Sequence, residues 1–212
     1  MRLLIAIPTL DYMHFAFVDS LIKLIKYLKD DGVDFDVDLR SGTLVYSARE
    51  KICHKAMQEG FTHVLWIDAD MVFEETVVDD LLFCGQPFVA GIFHARRPPH
   101  ASCLFKSIEP IERFSMDSYP GAPFEIAASG MGLVLMETKV IQTVFDRFST
   151  CFLPTAALGE DIAFCDRVAK CGIKMYADPS VRVGHIGHIT IMPESEEEWE
   201  GKVANLERIK RC

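Results

Sequence analysis

The stretch Thr62-His63-Val64-Leu65-Trp66-Ile67-Asp68-Ala69-Asp70 joins a strand-like apolar run to two carboxylates with no turn between them. A short run without alternation suits a strand buried on both faces, as in parallel sheets covered by helices. Ligands of such sheets bind at the carboxyl ends of the strands, and Asp68 and Asp70 stand at one. Two acids that close repel each other unless a cation joins them. Hard oxygen donors of this kind select Mg²⁺, Mn²⁺ or Ca²⁺. The competing reading is helix capping of the segment that follows.

Spacing alone does not single out this pair, because Asp34-Phe35-Asp36 and Asp36-Val37-Asp38 have the same Asp-x-Asp pattern. Those lie in a segment, residues 33 to 39, that alternates apolar and acidic residues. Period-two positions share one face of a strand, so these three aspartates read as a solvated stripe.

The flanking sequence extends the pattern. Residues 2 to 7 are a second apolar run, closed by Pro8-Thr9, where proline ends a strand. Val18, Leu21, Ile22, Ile25 and Leu28 recur at helical spacing before Gly32. A second helix is expected over about residues 44 to 59, closing at Gly60. A short helix carries Val77, Val78, Leu81 and Leu82, and residues 88 to 93 read as a strand. Residues 94 to 123, with five prolines, read as a long functional loop holding at most one short strand. Gly130-Met131-Gly132 precedes a strand over 133 to 136, and helices follow at about 139 to 148 and 160 to 170. Residues 173 to 177 and 181 to 183 read as two further strands. Alternating strands and helices argue for a three-layer αβα sandwich around a central, mainly parallel (mixed) sheet. Ser195 and Glu198 form a capping box for a final helix. Residues 1–192 are therefore read as one domain, and 193–212 as a helix that packs on it or leads into a further domain.

The chain has 212 residues, half of them hydrophobic and a quarter charged, as expected of one soluble globular domain. Its formal net charge is −9, which disfavours nucleic acid and anionic membrane surfaces as partners. Ten of its 31 acids lie in two patches, at 30 to 38 and 194 to 200, and the remainder is close to neutral. A site for an anionic small molecule is therefore compatible with the composition. Seven cysteines without a C-x-x-C pair point to a reducing compartment. No signal peptide or membrane span is expected, so the chain reads as cytoplasmic.

The ordered set Ile5-Ala6-Ile7-Pro8-Thr9, Ser47-Ala48-Arg49-Glu50, Trp66-Ile67-Asp68-Ala69-Asp70-Met71, Gly130-Met131-Gly132, Gly159-Glu160-Asp161 and Val183-Gly184-His185 resembles the nucleotide-sugar glycosyltransferases of the GT-A fold. It is similar in particular to small chlorella-virus-encoded enzymes of capsid glycan synthesis, for which host cytoplasm is implied. The resemblance implies transfer of a hexose or deoxyhexose, such as glucose or rhamnose, from a UDP-sugar to a glycan or glycoprotein acceptor, with Mn²⁺ or alternatively Mg²⁺. Metal ligation falls on Asp68, Asp70 and His185, with His188 a second candidate beside the donor. Pro8, Thr9, Ser41, Arg49, Asp68, Ala69 and Gly130 fall at nucleotide-sugar positions. Arg49 either faces the nucleotide or forms an exposed salt bridge, and Gly130 and Gly132 either admit the donor sugar or make a plain turn. Arg96 and Arg97 either touch phosphate or acceptor or are merely solvated. The resemblance makes Glu160 and Asp161 the catalytic acids, the alternative being acids that the helix dipole favours in a first turn. In inverting members the aspartate takes the acceptor proton, and in retaining members such acids orient the donor.

Two rival readings fit the sequence less well. A sugar-phosphate nucleotidylyltransferase would need a glycine-rich loop after the first strand, and Pro8 to Tyr12 contains no glycine. A non-catalytic carbohydrate-binding relative would tolerate loss of the acids and the late histidine, which are all present.

Overall fold

A computed structural model describes residues 1–10, 12–115 and 119–187. His188 and the expected helix over 193 to 212 lie outside the described residues. The central sheet has seven strands: β1 (Arg2–Pro8), β2 (Asp34–Arg40), β3 (His63–Ile67), β5 (Phe88–Ile92), β8 (Phe124–Ile126), β10 (Leu133–Glu137) and β11 (Met175–Arg182). Their order is β2-β1-β3-β10-β5-β11-β8. The β1–β2, β1–β3 and β5–β11 pairs are parallel. β10 is inserted antiparallel between β3 and β5, with Leu135 opposite Leu65, and β8 is antiparallel at the edge. The result is the mixed αβα sandwich of the GT-A type.

Two apolar layers cover the sheet. On one face α1 (Phe15–Asp30) and α3 (Val77–Phe83) pack Phe17, Leu21, Leu24, Leu28 and Val78 against Ile5, Leu65 and Leu135. On the other, α2 (Val45–Gln58), α4 (Thr138–Phe148) and α5 (Glu160–Lys170) enclose Trp66, Phe88, Phe152 and Phe164. The buried stripe of α1 is Phe17-Leu21-Leu24-Leu28, and Ile22 is exposed. The stripe runs through Phe17, and at about 100° per residue Ile22 falls off its line. α2 closes at Gly60, whose φ of +73° a residue with a Cβ adopts only at a cost.

Three local expectations are corrected. Residues 94 to 123 hold two strands, β6 (Leu104–Ile108) and β7 (Ile111–Arg113), which join β9 (Ala128–Ser129) in a small side sheet. The Arg113 guanidinium lies over the Phe105 ring, its cross-strand partner in this hairpin. The two strands expected at 173 to 183 are one, β11, whose register shifts between Ala177 and Arg182. There Asp178 accepts hydrogen bonds from the Ser180 amide and hydroxyl. Finally, Asp38 is buried rather than solvated, because Arg40 at 2.9 Å and Lys55 at 3.9 Å neutralise it.

Gly132 shows how tightly the sheet end is built. A Cβ there would collide with Met71 Cε and lie 2.9 Å from the Phe93 ring. On that side its close neighbours are thus core side chains, which leave no room for a Cβ. Overpacking of this kind typically costs about 1–3 kcal/mol. Gly132→Ala is expected to lower the melting temperature by roughly 2–4 °C per kcal/mol for a chain of this size, as read by thermal unfolding. An unchanged melting temperature would show that Phe93 and Met71 yield freely.

Candidate active site

The carboxyl ends of β1 and β3 open into a cleft of ≈ 800 Å³, walled in part by Pro8, Thr9, Asp68, Ala69, Asp70 and His185. Its size falls within the range of small-molecule and cofactor sites. β3 delivers Asp68 through its own hydrogen-bond ladder, since the Asp68 amide donates to the Gly132 carbonyl at 3.0 Å. His185 arrives by a separate device. Residues Met71–Val72 (β4) pair antiparallel with Gly184–His185 (β12), setting His185 opposite Met71, beside Asp70. The Ile186 amide bonds the Asp70 carbonyl at 2.8 Å.

Asp70 and His185 therefore meet, with His185 Nε2 3.3 Å from Asp70 Oδ2. His185 Nδ1 lies 2.8 Å from the His94 carbonyl oxygen and donates to it, so Nε2 is the nitrogen that faces Asp70: it donates to the carboxylate when the ring is protonated and offers a lone pair to a cation when the ring is neutral. Burial opposes ionisation of Asp70, but the hydrogen bond and charge of His185, with the Arg96 guanidinium, outweigh it and lower its pKa. The hydrogen bond to Asp70 in turn raises that of His185, against burial. A carboxylate oxygen and an imidazole nitrogen at this separation can be bridged by one ion with bonds of roughly 2.0–2.1 Å. The pair thus fits a divalent cation as two of its ligands.

Asp68 does not join them. Its Oδ1 accepts from Arg49 Nη2 at 2.8 Å, and Arg49 Nη1 donates to Glu160 Oε1 at 2.8 Å. Among the described residues no three His, Cys, Asp or Glu side chains converge as a metal cluster. Arg49 itself is 3% exposed, so it is not a surface salt bridge, and it lines the inner wall of the cleft. It ties β3 to the start of α5, with its charge shared by two cleft acids. Among the described residues its Nε has no hydrogen-bond partner, and the guanidinium lies over the Phe152 ring.

Glu160 stands on the cleft wall and Asp161 sits behind it, half-buried. Burial first, then the Glu160 charge, raises the Asp161 pKa against the opposing effect of Arg49. A carboxyl held above its ordinary value is suited to general-base work. Gly130 lies on the Asp161 side, where a Cβ would be 3.6 Å from Asp161 Oδ2, and it does not line the cleft. Ser41 is exposed, and Thr43, two residues on, lines the cleft. Sequence reasoning missed Tyr12, Leu44 and Val45, apolar wall residues that are nonetheless exposed. Their available signal was large side chains just beyond strand ends. Arg96 and Arg97 also line the cleft, and Arg96 Nη1 donates to Asp70 Oδ2 at 2.6 Å.

No family model matches the chain, and no curated protein matches its sequence. Solved structures do match. A197 from STIV is similar with a TM-score of 0.60 at 15% identity, over 92% of this chain and 99% of that one. The catalytic domain of Drosophila beta1,4galactosyltransferase 7, solved as a complex with xylobiose, is similar with a TM-score of 0.53 at 12% identity, over 93% of this chain and 79% of that one. The shared feature at this identity is the fold.

Proposed function

We propose that the chain is a metal-dependent glycosyltransferase that moves a hexose or deoxyhexose, such as glucose or rhamnose, from a UDP-sugar to a glycan or glycoprotein acceptor. The observation that carries this reading is the meeting of Asp70 and His185 at the mouth of a cleft whose other walls hold Arg49, Asp68 and Glu160. The fold shared with a galactosyltransferase catalytic domain supports it.

Asp70 and His185 would hold Mn²⁺, or alternatively Mg²⁺, with donor phosphate oxygens completing the shell. Such a cation supplies Lewis-acid stabilisation of the departing diphosphate. The apolar wall at Tyr12, Leu44 and Val45, with Pro8, Thr9 and Ala69, receives the nucleoside. Arg49 keeps Asp68 and Glu160 apart and oriented at the sugar end. Asp161 accepts the proton of the acceptor hydroxyl in an inverting reaction. The resemblance to chlorella-virus enzymes extends the proposal to capsid glycans made in host cytoplasm. Among the described residues no helix is long and apolar enough to cross a membrane.

Calorimetric titration with UDP, GDP and CMP, each with and without Mn²⁺, tests the reading. Binding is expected for UDP with metal, and a UDP-sugar hydrolysis panel then names the donor. Tight UDP binding without metal would overturn the metal assignment. Binding without hydrolysis of any UDP-sugar would favour a carbohydrate-binding relative instead.

A further inference from the structure

Asp70 Oδ2 has two partners at once, Arg96 Nη1 at 2.6 Å and His185 Nε2 at 3.3 Å. They are held very differently. His185 is fixed by the β4–β12 pairing, by the His94 carbonyl and by the edge of the Phe93 ring. Its side chain is 17% exposed, whereas that of Arg96 is 49% exposed. The backbone around Arg96 is pinned, with the Ala95 amide on the Ala101 carbonyl at 2.8 Å and the His100 amide on the Arg97 carbonyl at 2.9 Å. The freedom at this point therefore belongs to the Arg96 side chain rather than to its loop.

We infer that Arg96 is a resident cation for Asp70. It neutralises the carboxylate before metal binds and turns onto the donor diphosphate when a divalent ion takes the same oxygen. The inference rests on the reading of Asp70 and His185 as the metal-holding pair. A guanidinium and a divalent ion cannot share one carboxylate oxygen without strong like-charge repulsion. Arg96 and Arg97 both line the cleft, so a guanidinium released from Asp70 remains in the cavity that receives the phosphates. Guanidinium matches phosphate with paired hydrogen bonds. Metal and nucleotide then bind with positive coupling, because each favours the same position of Arg96.

Mn²⁺ titration of the full chain, followed by the electron paramagnetic resonance of the free ion, tests this with and without UDP. Without nucleotide, Arg96→Gln is expected to bind Mn²⁺ about three- to fivefold more tightly than wild type, the scale of a partly exposed ion pair. With UDP present, that gain should disappear and UDP affinity should fall severalfold. Arg97→Gln carries the same charge change and should leave metal affinity unaltered. Unchanged or weaker Mn²⁺ binding by Arg96→Gln, or an equal gain in Arg97→Gln, would overturn the inference while leaving the metal reading intact. If no protein bound Mn²⁺ even with UDP, the metal reading itself would fail, and this inference with it.

Discussion

Asp70→Asn is expected to remove Mn²⁺-dependent UDP binding and to lower sugar transfer by about 10²–10³-fold, the several kcal/mol that a positioned cation contributes to a leaving diphosphate. The substitution keeps the shape of the side chain and deletes its charge. Its effect follows from the placement of Asp70, which among the described residues is the acid that meets His185 in the cleft. Asp68 is held differently, with its Oδ1 accepting from Arg49 Nη2 at 2.8 Å. The fold should survive, since the Asp70 side chain is 28% exposed and lies outside both apolar layers. Circular dichroism and thermal unfolding would verify that. Calorimetry with UDP and Mn²⁺ gives the decisive reading: an affinity within twofold of wild type would place the metal elsewhere.

The acids at this site differ in how visible they are in the sequence, and the reason is physical. Asp68 and Asp70 stand out because the apolar run before them forces a buried strand, and a strand buried on both faces must release its polar residues at its end. That relation is local. The placement of His185 is not, because it depends on a two-residue ladder to Met71–Val72, far too short to leave a periodic trace. Its position is suggested by resemblance and fixed only by pairing. Arg49 is visible as a cation early in α2, yet its partners lie 19 and 111 residues away. Composition could not distinguish that buried bridge from a surface ion pair.

The fold divides in the same way. β1, β3 and the helices between them follow from runs and spacing, but strand direction carries no local signal. The apolar run of β10 is equally compatible with parallel and antiparallel neighbours, and only its partners β3 and β5 make it antiparallel. Asp38 illustrates the limit of alternation. Its spacing matches that of Asp34 and Asp36, and Lys55 and Arg40 bring it into the interior.

Asp161→Asn is expected to give the opposite signature to Asp70→Asn: UDP and Mn²⁺ bind within twofold of wild type, while transfer falls about 10²–10⁴-fold, the usual contribution of a positioned base. Stability supplies an independent readout. Burial and the Glu160 charge hold the Asp161 carboxyl above its ordinary value, so ionising it in the folded protein costs stability. That cost is absent below the unfolded value of about 4 and grows as pH rises through the higher folded value. Asparagine never ionises and can still accept the Ile162 amide hydrogen bond that Asp161 Oδ1 now takes at 2.8 Å. The variant should therefore melt a few degrees higher than wild type at about pH 7.5, with the difference vanishing near pH 4. A purely structural aspartate would show the melting shift without the loss of transfer. If Asp161→Asn turned over normally, the proton would have to leave by another group, and Glu160, which stands on the cleft wall itself, would be the residue to replace next.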